Sequence, residues 1–244
     1  MYNRFAEVYD RLMDDFDYPA WAEYYLGLLK KAGCTPKTMC ECGCGTGSMT
    51  LEFARRGLKI TGLDLSGEML AEAQKKARAA GLMVPFVQED MTALTLPRRV
   101  DAIVACCDGV NYLTDMDQVK AFFRAARQWL KPGGALAFDV STERKLLEQM
   151  GDAFFGEDRD EVTYLWQNRR EGRLVRMELT FFLRREDGLY ERFEEEQVQR
   201  AHTIPELTGA LAECGFSQAS VFGGQTFDAP AAGDLRVHIV ARAD

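Results

Sequence analysis

Three glycines spaced two apart, in Glu41-Cys42-Gly43-Cys44-Gly45-Thr46-Gly47, stand between a strand-like run and a stretch with helical spacing. Glycine there lets the chain turn sharply and lets a ligand lie against bare backbone. Asp64 lies 21 residues after Gly43, at the end of the next strand-like run. A carboxylate at that offset suits the vicinal diol of a ribose, because it can accept two hydrogen bonds. The chemistry implied is recognition of a nucleoside-bearing cofactor. Spacing discriminates among such cofactors. The nicotinamide-dinucleotide fingerprint G-x-G-x-x-G needs a third glycine at position 48, and the residue there is Ser48.

These residues need a strand on each side of the bend and a helix after it. Met39–Cys42 supplies the first strand and Thr46–Arg56 the helix. Leu58–Leu63 is the second strand, and Ser66 caps a helix running to about Ala80. Val84–Gln88, Val100–Ala105 and Ala135–Val140 are further strands, the last two being mostly apolar and of the kind buried on both faces. Gln118–Leu130 is an amphipathic helix ended by Lys131-Pro132-Gly133-Gly134. Strand–helix alternation predicts a doubly wound, mostly parallel α/β sheet. Residues 2–31 read as helical with a break over Asp14–Pro19, forming an N-terminal helical cap over 1–36. From Val162 to Gln199 the period changes to two, with a hairpin signal at Asp187-Gly188. That predicts an inserted antiparallel meander of about three strands, a lid over 155–202 within one domain of residues 1–244. Thr203 with Glu206 forms a capping box, and Phe216–Phe222 and Leu235–Ala241 complete the strands.

With these motifs in order, the chain resembles the class I S-adenosylmethionine (SAM)-dependent methyltransferases, close to small-molecule and uncharacterised bacterial members. The glycine triplet matches the family's first motif and Asp64, in Gly62-Leu63-Asp64-Leu65-Ser66, its ribose-binding acid. Gln88-Glu89-Asp90-Met91, Val100-Asp101-Ala102-Ile103-Val104 and Leu130-Lys131-Pro132-Gly133-Gly134 match later motifs, and Phe5-Ala6-Glu7-Val8-Tyr9-Asp10 the N-terminal segment. The resemblance implies a seven-stranded Rossmann-like sheet whose last strand, Leu235–Ala241, is an antiparallel edge strand. It also implies SAM as cofactor. Gly43, Gly45 and Gly47 would carry its methionine portion, with the following helix N-terminus favouring the carboxylate. Asp64 would take the ribose, Leu65 would pack on the adenine, Asp90 would accept from the adenine amino group, and the Met91 backbone would serve the ring edge. Cys107 would lie beside the cofactor through its backbone. Tyr9 and Trp21 would shield the sulfonium or bind substrate, since aromatic faces attract cations; core packing is the alternative for both.

Other groups carry weaker signals. Cys40, Cys42 and Cys44 are too closely spaced for a structural zinc pair, and no metal is expected. Cys106-Cys107 could offer a nucleophilic thiol, but no proline precedes the pair, and buried free cysteine is common. His202 could serve as a base or lie on the surface, and His238 falls in a strand. No residue stands out as the general base, and a neutral amine acceptor would need none before attack. Thirty Lys+Arg against 38 Asp+Glu give a net charge of −8, which disfavours nucleic acid. An RNA or protein substrate remains the alternative if Arg169, Arg170, Arg173, Arg176, Arg184 and Arg185 form a basic face. A nicotinamide oxidoreductase and a non-catalytic SAM-binding protein are the other rivals. Charges interrupt every apolar run, so no membrane association is expected. Seven cysteines without a visible export signal point to a cytoplasmic protein. Strand 190–199 could pair across a homodimer.

Overall fold

The computed structural model describes residues 5–243. Five parallel strands come first: β1 (Thr38–Cys42), β2 (Lys59–Asp64), β3 (Phe86–Gln88), β4 (Val100–Ala105) and β5 (Leu130–Ser141). Four antiparallel strands follow: β6 (Phe154–Asp158), β7 (Val162–Glu171), β8 (Leu174–Arg184) and β9 (Tyr190–Arg200). The chain then adds β10 (Ser217–Gly223) and β11 (Arg236–Ala243). The main sheet has the order β10-β11-β5-β4-β1-β2-β3, and β6 to β9 form a second sheet in sequence order. β1 pairs with β2 on one side, Cys42 opposite Leu63, and with β4 on the other, Glu41 opposite Val104. The C-terminal ends of β2, β1 and β4 therefore share one edge, where ligands bind in open α/β sheets.

Helices cover both faces because the central strands are apolar on both. Ala102–Ala105 and Ala135–Phe138 are completely buried. One face packs Phe122 and Phe123 of α5 (Met116–Trp129) and Leu207 and Leu211 of α6 (Ile204–Glu213) against Ile103 and Phe138. The other packs Tyr25, Leu28 and Leu29 of α2 (Tyr18–Lys31) and Phe53 of α3 (Ser48–Arg55) against Met39 and Ile60. The helix starts follow local chemistry. Asp17 caps α2 by accepting from the Ala20 N–H at 3.0 Å, and Ser66 caps α4 (Gly67–Ala79) from the Met69 N–H at 3.2 Å. Thr203 and Glu206 form the expected reciprocal box at α6.

The first helix, α1 (Phe5–Leu12), belongs to neither layer. Its Phe5 and Val8 pack with Met69 of α4, Leu146, and Val175, Met177 and Phe181 of β8. α1 and the second sheet thus share one apolar cluster above the ligand edge.

Three features depart from the sequence-based expectations. The meander has four strands, because β6 is exposed at every residue and so carries no alternation to read. A π-helical segment, Arg144–Met150, precedes it. β11 lies between β5 and β10, antiparallel to both, so the edge strand is β10. Among the described residues, no helix is long and apolar enough to cross a membrane.

Candidate active site

A cavity of about 310 Å³ opens at the ends of β1, β2 and β4. The glycine loop forms its floor. Gly45 has φ +52°, and a Cβ built there would meet no atom within 4 Å, so bare backbone faces open space. Asp64 is held beside the loop: its Oδ2 accepts from the Gly45 N–H at 2.7 Å and its Oδ1 from the Ser66 N–H at 2.9 Å. Each carboxylate oxygen keeps a further lone pair for a diol. Burial raises the Asp64 pKa despite these backbone bonds. Leu65 lines the cavity with 65% of its surface exposed. Asp90 is exposed at the rim, where its Oδ1 accepts from the Thr92 N–H at 2.8 Å and opens a turn over Met91–Ala93.

At the other end, Glu41 is buried beneath the loop. Burial pushes its pKa up to about 8, although hydrogen bonds from Thr50 and Cys106 oppose the rise. Tyr9 of α1, Tyr18 of α2, Tyr112 and Gln197 of β9 close this end, and the Tyr112 hydroxyl donates to Gln197 Oε1 at 2.8 Å. Burial keeps the Tyr9 and Tyr18 phenols neutral by raising both pKa values. A polar knot fastens α1 to the loop. Asp10 accepts from Thr46 Oγ1 at 2.6 Å and Lys76 Nζ at 2.6 Å, and Lys76 also donates to Ser48 Oγ at 2.7 Å.

Eight of the ten expected cofactor residues line this cavity: Tyr9, Gly43, Gly45, Asp64, Leu65, Asp90, Met91 and Cys107. Gly47 does not. With φ +76° it starts α3, and a Cβ would stand 2.9 Å from the Ala73 Cβ, so its place is in helix packing. Trp21 does not line it either. It packs between Phe16, Tyr25 and His238, with the Arg236 guanidinium 5.2 Å from its ring centroid. Reading motifs assigned no role to Glu41, although it opens the E-x-G-x-G-x-G run. Tyr18, Tyr112 and Gln197 had no pattern that could have revealed them.

The remaining candidates resolve individually. Burial raises the Cys107 thiol pKa, which opposes a thiolate nucleophile. His202 is buried, bonded through Nε2 to the Leu113 carbonyl, and burial lowers its pKa to about 4. His238 lies in the core of β11. Arg200 pairs with Glu206 at 3.0 Å. On the second sheet, Arg169 meets Glu178 at 3.7 Å, Arg173 meets Glu143 at 3.0 Å and Arg176 pairs with Glu196. Arg185 pairs with Asp187 at 3.0 Å, so carboxylates offset four of the six arginines whose basic face would have favoured RNA.

Residues 39–134, which hold the glycine loop and both candidate acids, match the methyltransferase domain family. The chain is 36% identical over 244 residues to the "Putative methyltransferase" of Geobacillus sp. (strain WCH70), covering 99% of both chains. It is 33% identical to the corresponding protein of Bacillus subtilis (strain 168), over 99% of this chain and 97% of that one. A crystal structure of an S-adenosylmethionine-dependent methyltransferase from Clostridium acetobutylicum ATCC 824 superposes with TM-score 0.90 at 31% identity. It covers 99% of this chain and 98% of that one. The SAM-bound amino pentose methyltransferase CalS10 from Micromonospora echinaspora shares the fold, with TM-score 0.75 at 24% identity over 97% of each chain. Together these likenesses establish that the chain belongs to the class I SAM-dependent methyltransferases.

Proposed function

We propose that this methyltransferase modifies a small-molecule acceptor. The observation that carries the reading is the roof. Phe5 and Tyr9 of α1 and Gln197 of the second sheet line the same cavity as the glycine loop, so an acceptor reaches the site beneath two packed covers. A folded RNA or protein would have to displace both. The amino pentose methyltransferase with the same fold supports the reading, as its named substrate class is a sugar.

SAM supplies, when bound, a methyl group already activated on a sulfonium. The chain's own task is alignment and exclusion of water. Gly43 and Gly45 leave room for the methionine portion along the loop. Asp64 would accept from the two ribose hydroxyls, Leu65 would pack on the adenine, Asp90 would accept from its amino group and the Met91 backbone would meet the ring edge. Cys107 would present backbone beside the methionine end, and the Tyr9 ring would shield the cationic centre. With SAM carrying a deuterated methyl group, a cell extract of small metabolites is expected to yield products bearing that group. Label confined to RNA or protein would contradict the small-molecule reading.

Glu41 supplies a pH signature. Its raised pKa, about 8, leaves it neutral in the free protein at pH 7. A cationic ligand favours the carboxylate and releases that proton. SAM affinity is therefore expected to rise with pH up to about 8 and level off above it. Calorimetry in buffers of different ionisation enthalpy should show proton release near pH 7. A release that persists in Glu41→Gln would assign it to another group.

A further inference from the structure

The C-terminal end of β4 walls the cavity with backbone, and that wall is strained. Cys107 (φ 56°) and Asp108 (φ 54°) are consecutive non-glycine residues in the left-handed region. Such a conformation persists only where the surroundings over-determine it, and it gathers at functional sites. Cys107 and Gly109, on either side of Asp108, line the cavity.

A buried ionic cluster behind the wall holds it. The Asp108 N–H donates to Asp139 Oδ2 at 2.9 Å, and the Tyr25 hydroxyl donates to Asp139 Oδ1 at 2.5 Å. The Arg236 guanidinium donates two bonds to Asp108 Oδ1, each 3.2 Å, and also pairs with Asp139. Ser141 Oγ donates to Asp108 Oδ2 at 2.9 Å, and Lys145 Nζ donates to Ser141 Oγ at 3.1 Å. Asp139 is fully buried, and the Asp108 and Arg236 side chains are each 19% exposed. Trp21 lies against the same guanidinium. Apolar residues of equal volume would stabilise a core at least as well as buried ions. What this cluster adds is direction: one carboxylate fixed on one backbone amide, and a guanidinium fixing both carboxylates.

We propose that Arg236, Asp108 and Asp139 form a positioning cluster that touches no ligand and sets the Cys107–Gly109 backbone against the amino-acid end of the cofactor. The assignment of that end rests on the reading of Asp64 as the ribose acceptor. β4 flanks β1 on the side opposite β2, so a nucleoside anchored at Asp64 directs its methionine portion across the glycine loop toward Cys107.

The test compares two ligands by calorimetry on the full chain. S-adenosylhomocysteine carries the amino-acid portion, and 5′-methylthioadenosine lacks it. Misplacement on the order of an ångström predicts about tenfold weaker S-adenosylhomocysteine binding in Asp108→Asn and about a hundredfold in Arg236→Met, with methylthioadenosine changed by less than about twofold. Arg236→Lys should fall between wild type and Arg236→Met. Asp108→Asn keeps the Arg236–Asp139 pair, so it decides the matter if Arg236→Met does not fold. Equal losses for both ligands, or an unchanged S-adenosylhomocysteine affinity, would overturn the proposal. Failure of the wild type to bind either ligand would instead overturn the reading of Asp64.

Discussion

Asp64→Ala is expected to lower the affinity for SAM and S-adenosylhomocysteine by about a hundredfold or more, with calorimetry as the measurement. Hydrogen bonds to a charged partner are worth about 1.5–3 kcal/mol each, and a diol makes two. The substitution also frees the Gly45 N–H, which the carboxylate now holds at 2.7 Å, so the loop loses an anchor. Asp64→Asn keeps one acceptor oxygen and should lie between. Free-protein stability is subject to two opposed effects. Burial raises the Asp64 pKa, so the folded state is penalised for carrying the charge once the pH exceeds the unfolded pKa. Asp64→Asn removes that penalty but turns an amide NH2 toward either the Gly45 or the Ser66 N–H, so at pH 7 its free-protein melting temperature should change little while its response to SAM shrinks. A lower melting temperature together with unchanged affinity would mean that Asp64 serves the fold alone.

Gly45 and Gly47 should separate binding from stability. At Gly45, which lines the cavity, an added Cβ would meet no protein atom within 4 Å. Gly45→Val therefore abolishes detectable SAM binding, with a smaller stability loss from forcing a β-branched residue to φ +52°. At Gly47 a methyl group would stand 2.9 Å from the Ala73 Cβ and 3.1 Å from the Phe86 ring, again at positive φ. Left-handed strain of about 1–2 kcal/mol and overpacking of about 1–3 kcal/mol predict that Gly47→Ala destabilises the fold by about 2–5 kcal/mol. Thermal melts and SAM titrations on the same preparations distinguish the two. A Gly45→Val protein that binds normally would remove the loop from the site.

The residues that meet at the strand-end cavity were legible because their placement is local. Gly43, Gly45, Asp64, Leu65, Asp90 and Met91 lie beside strand ends whose order follows the chain, and each carries a residue type suited to its place. The roof was half legible. Tyr9 and Trp21 look alike as aromatic residues on N-terminal helices, and only the path of α1 across the loop puts one in the cavity and leaves the other on Arg236. Asp108, Asp139 and Arg236 were invisible as a group. They are joined by a β11 inserted antiparallel beside β5, and contacts across 97 and 128 positions leave no periodic trace. Gly47 shared a spacing with its neighbours but serves helix packing, a difference set by Ala73 and Phe86 and not by the motif.

The most direct measurement is a crystal structure of the full chain with S-adenosylhomocysteine. Both ribose hydroxyls are expected within hydrogen-bonding distance of the Asp64 carboxylate, the adenine on Leu65, and the amino-acid end along Gly43–Gly45 toward Cys107. A nucleoside bound outside this cavity, or reversed so that its sugar leaves Asp64 unmatched, would contradict the account.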